Sequence, residues 1–193
     1  MKRNTVIFLF VLLAFASCTK RTYISEEVIY SVNGNNENVI DPGSNTPSSN
    51  ATFTDEQKLI GSVIEYAHSL EGTPYKWGGA TPDGFDCSGF VQHIYAHFGV
   101  KIPRMPADMA AMSKKIDRKD VRAGDLVYFK GSNINSSDIG HVALVISSTG
   151  DDFKMIHATS KGVMVNSFSQ YDYWKTRYLF ASRFDRSTLI QDN

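Results

Sequence analysis

Only two cysteines, Cys18 and Cys87, occur in the 193-residue chain, and it has no net charge, 20 basic residues balancing 20 acidic ones. Two cysteines cannot build the multi-bridge framework that small secreted scaffolds depend on. Balanced charge without a run of either sign argues against nucleic acid as partner and against electrostatic attachment to an anionic membrane surface. Long apolar stretches are also lacking: Val6 to Phe15 falls short of the ~20 residues that span a bilayer. No internal repeat is visible. Aromatic residues, in contrast, make up 12% of the chain, enough to furnish the core of one domain, and the length suits one domain plus some extra at ~100–200 residues per domain.

The beginning has the layout of a secretory signal. Met1-Lys2-Arg3 is basic, an apolar run follows, and small residues precede Cys18. Phe15-Ala16-Ser17-Cys18 resembles the bacterial lipobox, in which the cysteine becomes the lipidated first residue of the mature chain, although Phe15 stands where leucine is usual. An ordinary signal cut elsewhere is the alternative. The expected organisation is a signal peptide over 1–17, a flexible tether over 18–52, a catalytic domain over 53–186 and a short tail over 187–193. The expected location is outside the cytoplasm, anchored to a bacterial membrane by lipid, the outer membrane in a Gram-negative cell. With Cys18 lipidated, Cys87 is a lone thiol in an oxidising compartment. It is then either a buried small hydrophobe or a reactive group.

From Thr19 to Ala51 the chain is rich in Asn, Ser, Gly, Pro and Thr, with little to bury. Glu27-Val28-Ile29-Tyr30 is compatible with an added edge strand. Near Phe53 the pattern changes. Thr54 with Gln57 forms a capping-box pair, and Leu59, Ile60, Val63, Ile64, Ala67 and Leu70 follow helical spacing up to Gly72. A Gly/Pro-rich loop runs to Gly84, a second helix from Cys87 to Phe98 stops at Gly99, and Met105–Met112 fits a short third helix. Strands are expected at Leu126–Phe129, His141–Ser147, Phe153–Ala158, Val163–Val165 and Tyr178–Phe184, separated by turn residues. Helices first and a meander of strands after them predict an α+β fold, helices packed on one face of an antiparallel sheet.

On the second helix Phe90, Val91, Ile94, Tyr95 and Phe98 share one apolar face, with Cys87 close to its centre. The thiol therefore sits in the first turn and points to the sheet. Free N–H groups and the positive dipole end lie there, which lowers a thiol pKa and can hold an oxyanion. Asp86 is placed to cap the helix. Of the five histidines, His68 lies off the apolar side of the first helix. His93 and His97 have the spacing of a helical metal pair but no third ligand, so they read as solvated and no metal is expected. His141 alternates with Ala143 and Val145, and His157 with Phe153 and Met155, one apolar strand face each. A Cys87–His141–His157 set facing the helix and two partly buried histidines bonded to carbonyls are equally consistent with that parity.

Gly72-Thr73-Pro74-Tyr75-Lys76-Trp77-Gly78-Gly79 and Gly84-Phe85-Asp86-Cys87-Ser88-Gly89-Phe90-Val91 resemble the signature of NlpC/P60 cell-wall peptidases. Ile102-Pro103-Arg104, Ala123-Gly124-Asp125-Leu126-Val127-Tyr128-Phe129, His141-Val142-Ala143-Leu144-Val145-Ile146 and Met155-Ile156-His157-Ala158 continue the resemblance in the family's order. It implies a papain-like core, no cofactor, and hydrolysis of peptidoglycan stem peptides or muropeptides, typically between γ-D-glutamate and a diamino acid. By position it makes Cys87 the nucleophile, His141 the base and His157 the orienting residue. Tyr75 then lines the site near the oxyanion, and Asp86 and Ser88 match residues that hold a free stem-peptide amine in some members. Trp77 is either a cleft wall or a core residue, and Arg104 reads as structural. No SH3-like module accompanies the domain, which leaves the need for a free L-Ala end open; the polar segment Lys130 to Gly140 is expected to rim the cleft. The chain is expected to act as a monomer. Rival readings are a wall amidase or cross-bridge peptidase with the same chemistry, and a non-catalytic wall-binding lipoprotein.

Overall fold

The computed structural model describes residues 54–189. The expected signal peptide, Cys18, the tether with its Glu27–Tyr30 segment, and the last residues of the tail lie outside the described residues. Helix α1 (Asp55–Ser69) opens on the expected capping box: the Gln57 amide donates to Thr54 Oγ1 (3.2 Å) and the Thr54 amide to Gln57 Oε1 (2.8 Å). Its buried residues are Val63, Ile64 and Ala67, three of the positions in the helical pattern. The loop after it holds a small hairpin, β1 (Ala80–Thr81) against β2 (Gly84–Phe85), too short for alternation to reveal. Helix α2 (Cys87–Ala96) buries Phe90, Val91, Ile94 and Tyr95 completely, and α3 (Pro106–Met112) follows with proline in its first turn.

The main sheet has six strands where five were expected. β3 (Lys114–Ile116) is an exposed edge strand, followed by β4 (Leu126–Lys130), β5 (Ile139–Thr149), β6 (Asp152–Thr159), β7 (Gly162–Ser167) and β8 (Tyr178–Arg183). Their order is β3-β8-β4-β5-β6-β7, antiparallel throughout. A further short helix, α4 (Asp172–Arg177), precedes β8, and α5 (Arg186–Leu189) ends the described chain. The α+β expectation holds, with α2 packed on β5 and β6.

One detail of the strand reading is corrected. Both faces of β5 are buried: Val142 and Leu144 join α1 and α2 in one core, while Ala143 and Val145 join Phe153, Met155 and Phe129 in a second core on the opposite face. His141 and His157 alternate with the second set. Their strand faces therefore turn away from α2, toward a layer closed by Trp174 of α4, and not toward the helix that carries the cysteine.

Candidate active site

The start of α2 is held by one carboxylate. Asp86 Oδ1 accepts from the Gly89 amide (2.7 Å) and Oδ2 from the Gly78 amide (3.0 Å), so the helix cap also ties down the loop that carries Tyr75 and Trp77. Arg104 completes the cluster, donating to Asp86 Oδ2 and to Ser88 Oγ (2.7 Å). Burial alone would raise the Asp86 carboxyl; Arg104 and the Gly89 and Gly78 amides outweigh it and hold the pKa below its usual value. Glycines permit the close approach. A Cβ on Gly89 would lie 2.0 Å from the Gly79 carbonyl oxygen, which itself accepts from the Asp86 amide at 3.0 Å.

Cys87 is the first residue of α2, partly buried and unpaired among the described residues. Its thiol lies beside the backbone amide of Val142 as well as those of Ser88 and Cys87 itself. Val142 follows His141 directly on β5, so the thiol lies beside the backbone of the residue next to the histidine. The expected lowering of the thiol pKa is not found. Burial dominates and pushes it up, the Asp86 carboxylate adds to the rise, and the three amides only moderate it. Tyr75 is near enough for a thiolate to raise its phenol pKa, after the larger effect of burial; the phenol stays protonated and able to donate.

The histidines form a chain. His141 Nε2 and His157 Nδ1 are 2.7 Å apart, and His157 Nε2 is 2.9 Å from Asn166 Oδ1. His157 is wholly buried. Trp174 stacks on the His141 ring at 5.3 Å and meets His157 edge-on at 4.8 Å, with Phe129 5.0 Å from the indole. This apolar cover explains the titration. Burial, and then the neighbouring His157, hold His141 well below 6.5; burial takes His157 down to about 4 despite its bond to Asn166. Both rings are neutral at neutral pH, as is the thiol.

The structure thus joins His141 to His157, sets Cys87 beside the Val142 amide, and groups Tyr75, Asp86 and Ser88 around the start of α2. Trp77, 87% exposed, is no core residue. The loop before His141 spans residues 131–138 and is tied by Lys130 Nζ donating to the Ile134 carbonyl (2.9 Å). Asn166 and Trp174 are additions that the sequence reading missed. His93 is less solvated than expected: it accepts or shares a proton with Tyr66 Oη (3.0 Å) and packs on Phe85, while exposed His97 stacks on Tyr66. Among the described residues no three or more His, Cys, Asp or Glu side chains cluster in a way that could hold a metal ion.

The model of the NlpC/P60 family matches residues 72–183. A probable endopeptidase NlpC of Escherichia coli is 38% identical over 140 residues, covering 71% of this chain and 86% of that protein. The murein DD-endopeptidase/LD-carboxypeptidase MepS of Escherichia coli is 34% identical, over 73% of this chain and 74% of its own. A γ-DL-glutamyl hydrolase of Bacillus subtilis is 32% identical over 68% of this chain, which spans only 31% of that longer protein. Among solved structures, a lipoprotein-like NLP/P60 family protein of Staphylococcus aureus superposes with a TM-score of 0.58 at 30% identity, covering 76% of this chain and 46% of that one. By sequence and fold, the chain belongs to the NlpC/P60 family.

Proposed function

We propose that the protein is an exported, lipid-anchored cysteine endopeptidase that hydrolyses peptidoglycan stem peptides at the γ-D-glutamyl–diamino acid bond. The observation that carries the peptidase reading is the thiol at the α2 N-terminus beside the Val142 amide, one residue from a histidine bonded to a second, buried histidine. In the reaction Cys87 Sγ attacks the scissile carbonyl while its proton passes to His141. The oxyanion is met by N–H groups at the start of α2, with the Tyr75 phenol as a further donor. The C–N bond breaks, His141 returns the proton to the leaving amine, and water then cleaves the thioester with His141 again as base.

Because both partners rest neutral, the pair works by general-base transfer rather than from a standing thiolate. The sign of the pH dependence follows. Acid inactivates by protonating His141, and its lowered pKa delays that loss to below 6.5. Alkali removes the proton destined for the leaving amine, and the raised thiol delays that loss to above 9.0. The kcat/KM profile is expected to be a broad plateau with apparent limits belonging to the pair. An acid midpoint at or above 6.5 would contradict it.

The bond assignment is supported by the family's usual chemistry and by the relative named a γ-DL-glutamyl hydrolase. A cross-bridge DD-endopeptidase or LD-carboxypeptidase reading is favoured by the relative of those activities, matched over 74% of its length. Product masses from a defined cross-linked muropeptide decide. Release of a fragment ending in γ-D-glutamate supports the first reading, and separation of the two stems with each γ-D-glutamyl bond intact supports the second. The anchor is tested separately: the mature protein is expected to partition into detergent, and Cys18→Ala to abolish this; an unchanged partition of Cys18→Ala would refute it.

A further inference from the structure

Asn166 stands on β7 and is a sequence-distant partner of the histidine pair. The β6–β7 register sets His157 opposite Met164 and Met155 opposite Asn166, so His157 and Asn166 are diagonal neighbours on one face. His157 is fully buried, and each of its ring nitrogens has one partner: His141 Nε2 at 2.7 Å and Asn166 Oδ1 at 2.9 Å. A neutral imidazole carries a single N–H, and the nitrogen that bears it follows from what its neighbours accept. Burial and His157 act on the His141 ring, and burial and Asn166 on the His157 ring; no charged side chain is among these causes.

We propose that Asn166 is the positioning residue that selects the tautomer of the catalytic base. This rests on the reading of Cys87 and His141 given above. An amide oxygen accepts only, so the His157 proton sits on Nε2 and donates to Asn166. His157 Nδ1 then offers a lone pair, which His141 Nε2–H fills. The nitrogen of His141 left to take the thiol proton is Nδ1, with its lone pair free. If the Asn166 amide turned its NH2 to His157, every bond would reverse: His157 Nδ1–H would donate to His141 Nε2, and His141 would carry its proton on Nδ1. In that arrangement the base has nothing to accept with. The orientation of one asparagine side chain therefore sets whether the Sγ–H proton has a destination.

The test is the ring-nitrogen NMR spectrum of the full chain at neutral pH, recorded without substrate, beside muropeptide kinetics. In wild type both His141 and His157 are expected as Nε2–H tautomers. Asn166→Leu should shift both toward Nδ1–H and lower kcat by about 10–100-fold, milder than the ~10⁴ lost when the direct orienting residue of a triad is replaced, with KM little changed. Asn166→Asp, an acceptor only, should restore the Nε2–H tautomers and recover kcat, with the acid limb moved to higher pH because the carboxylate favours a protonated His157. An Nδ1–H His141 in wild type overturns the proposal, and that spectrum decides even if Asn166→Leu does not fold. Unchanged tautomers in Asn166→Leu, or no recovery in Asn166→Asp, overturn it as well. A failure of the peptidase reading would look different: hydrolysis surviving in Cys87→Ala, whatever the tautomers are.

Discussion

Replacing His141 with glutamine is expected to lower kcat by about 10²–10⁴, the range a positioned general base contributes, with little change in melting temperature. The size follows from the thiol. Burial raises Cys87 above its ordinary 9.0, so at pH 7 the spontaneous thiolate fraction is below about 1%. Without a base, almost every Cys87 is an unreactive thiol, and the leaving amine has no proton donor. The structural cost is small because a glutamine amide can still donate to the buried His157 Nδ1, so what is lost is chiefly the stacking on Trp174. The residual activity carries a second signature. It should climb with pH across the neutral range as thiolate forms unaided, whereas the wild type is flat there. A variant that keeps more than about a tenth of wild-type kcat, against the range above, contradicts the general-base role. Residual activity independent of pH would mean that the thiolate is already formed at rest.

Gly89→Ala is expected to damage fold and activity together. The added Cβ would lie 2.0 Å from the oxygen and 3.0 Å from the carbonyl carbon of Gly79, both backbone atoms that no rotamer change can move. Either α2 retreats or the loop does. That loop is held to the helix by Gly78 donating to Asp86 (3.0 Å) and by Asp86 donating to the Gly79 carbonyl (3.0 Å), and it carries Tyr75 and Trp77. A backbone clash of this kind sits at the upper end of overpacking costs, about 3 kcal/mol, or roughly 10 °C in melting temperature for a domain of this size. Tyr75 would be displaced from the thiol, so the surviving folded fraction should also turn over slowly. Gly61→Ala is the control: it lies on the exposed side of α1, nothing stands within 4 Å of its added Cβ, and helix propensity favours alanine by about 1 kcal/mol. Thermal melts that place Gly89→Ala level with Gly61→Ala would refute the close packing of loop on helix.

Much of this was readable from residue order, and the exceptions have a common cause. The Thr54–Gln57 capping box, the phase of α2 and the Asp86 cap are local, set by neighbours within one turn, and each formed as the sequence implies. Alternation in β5 and β6 correctly grouped His141 with Ala143 and His157 with Met155. It could not tell which side α2 would cover, because Val142 to Val145 is apolar on both faces, as central strands buried twice over are. The sign of the Cys87 pKa shift was missed for a related reason: a helix dipole is visible in sequence, and the amount of protein that closes over the thiol is not. Asn166 enters through the β6–β7 register and Trp174 through the six-residue helix α4, whose aromatic run Tyr171-Asp172-Tyr173-Trp174 was the available cue. Edge strand β3 is short and polar, and nothing in its composition marks it.

The central claim is that Cys87 is the nucleophile of a peptidoglycan peptidase. Its most direct test is digestion of one defined muropeptide by wild type and by Cys87→Ala, side by side, with products followed by mass spectrometry. The expected result is cleavage by wild type at a single stem-peptide bond and an intact substrate with Cys87→Ala. Equal cleavage by both proteins, or an intact substrate with wild type whose Cys87 is shown to be reduced, would contradict it.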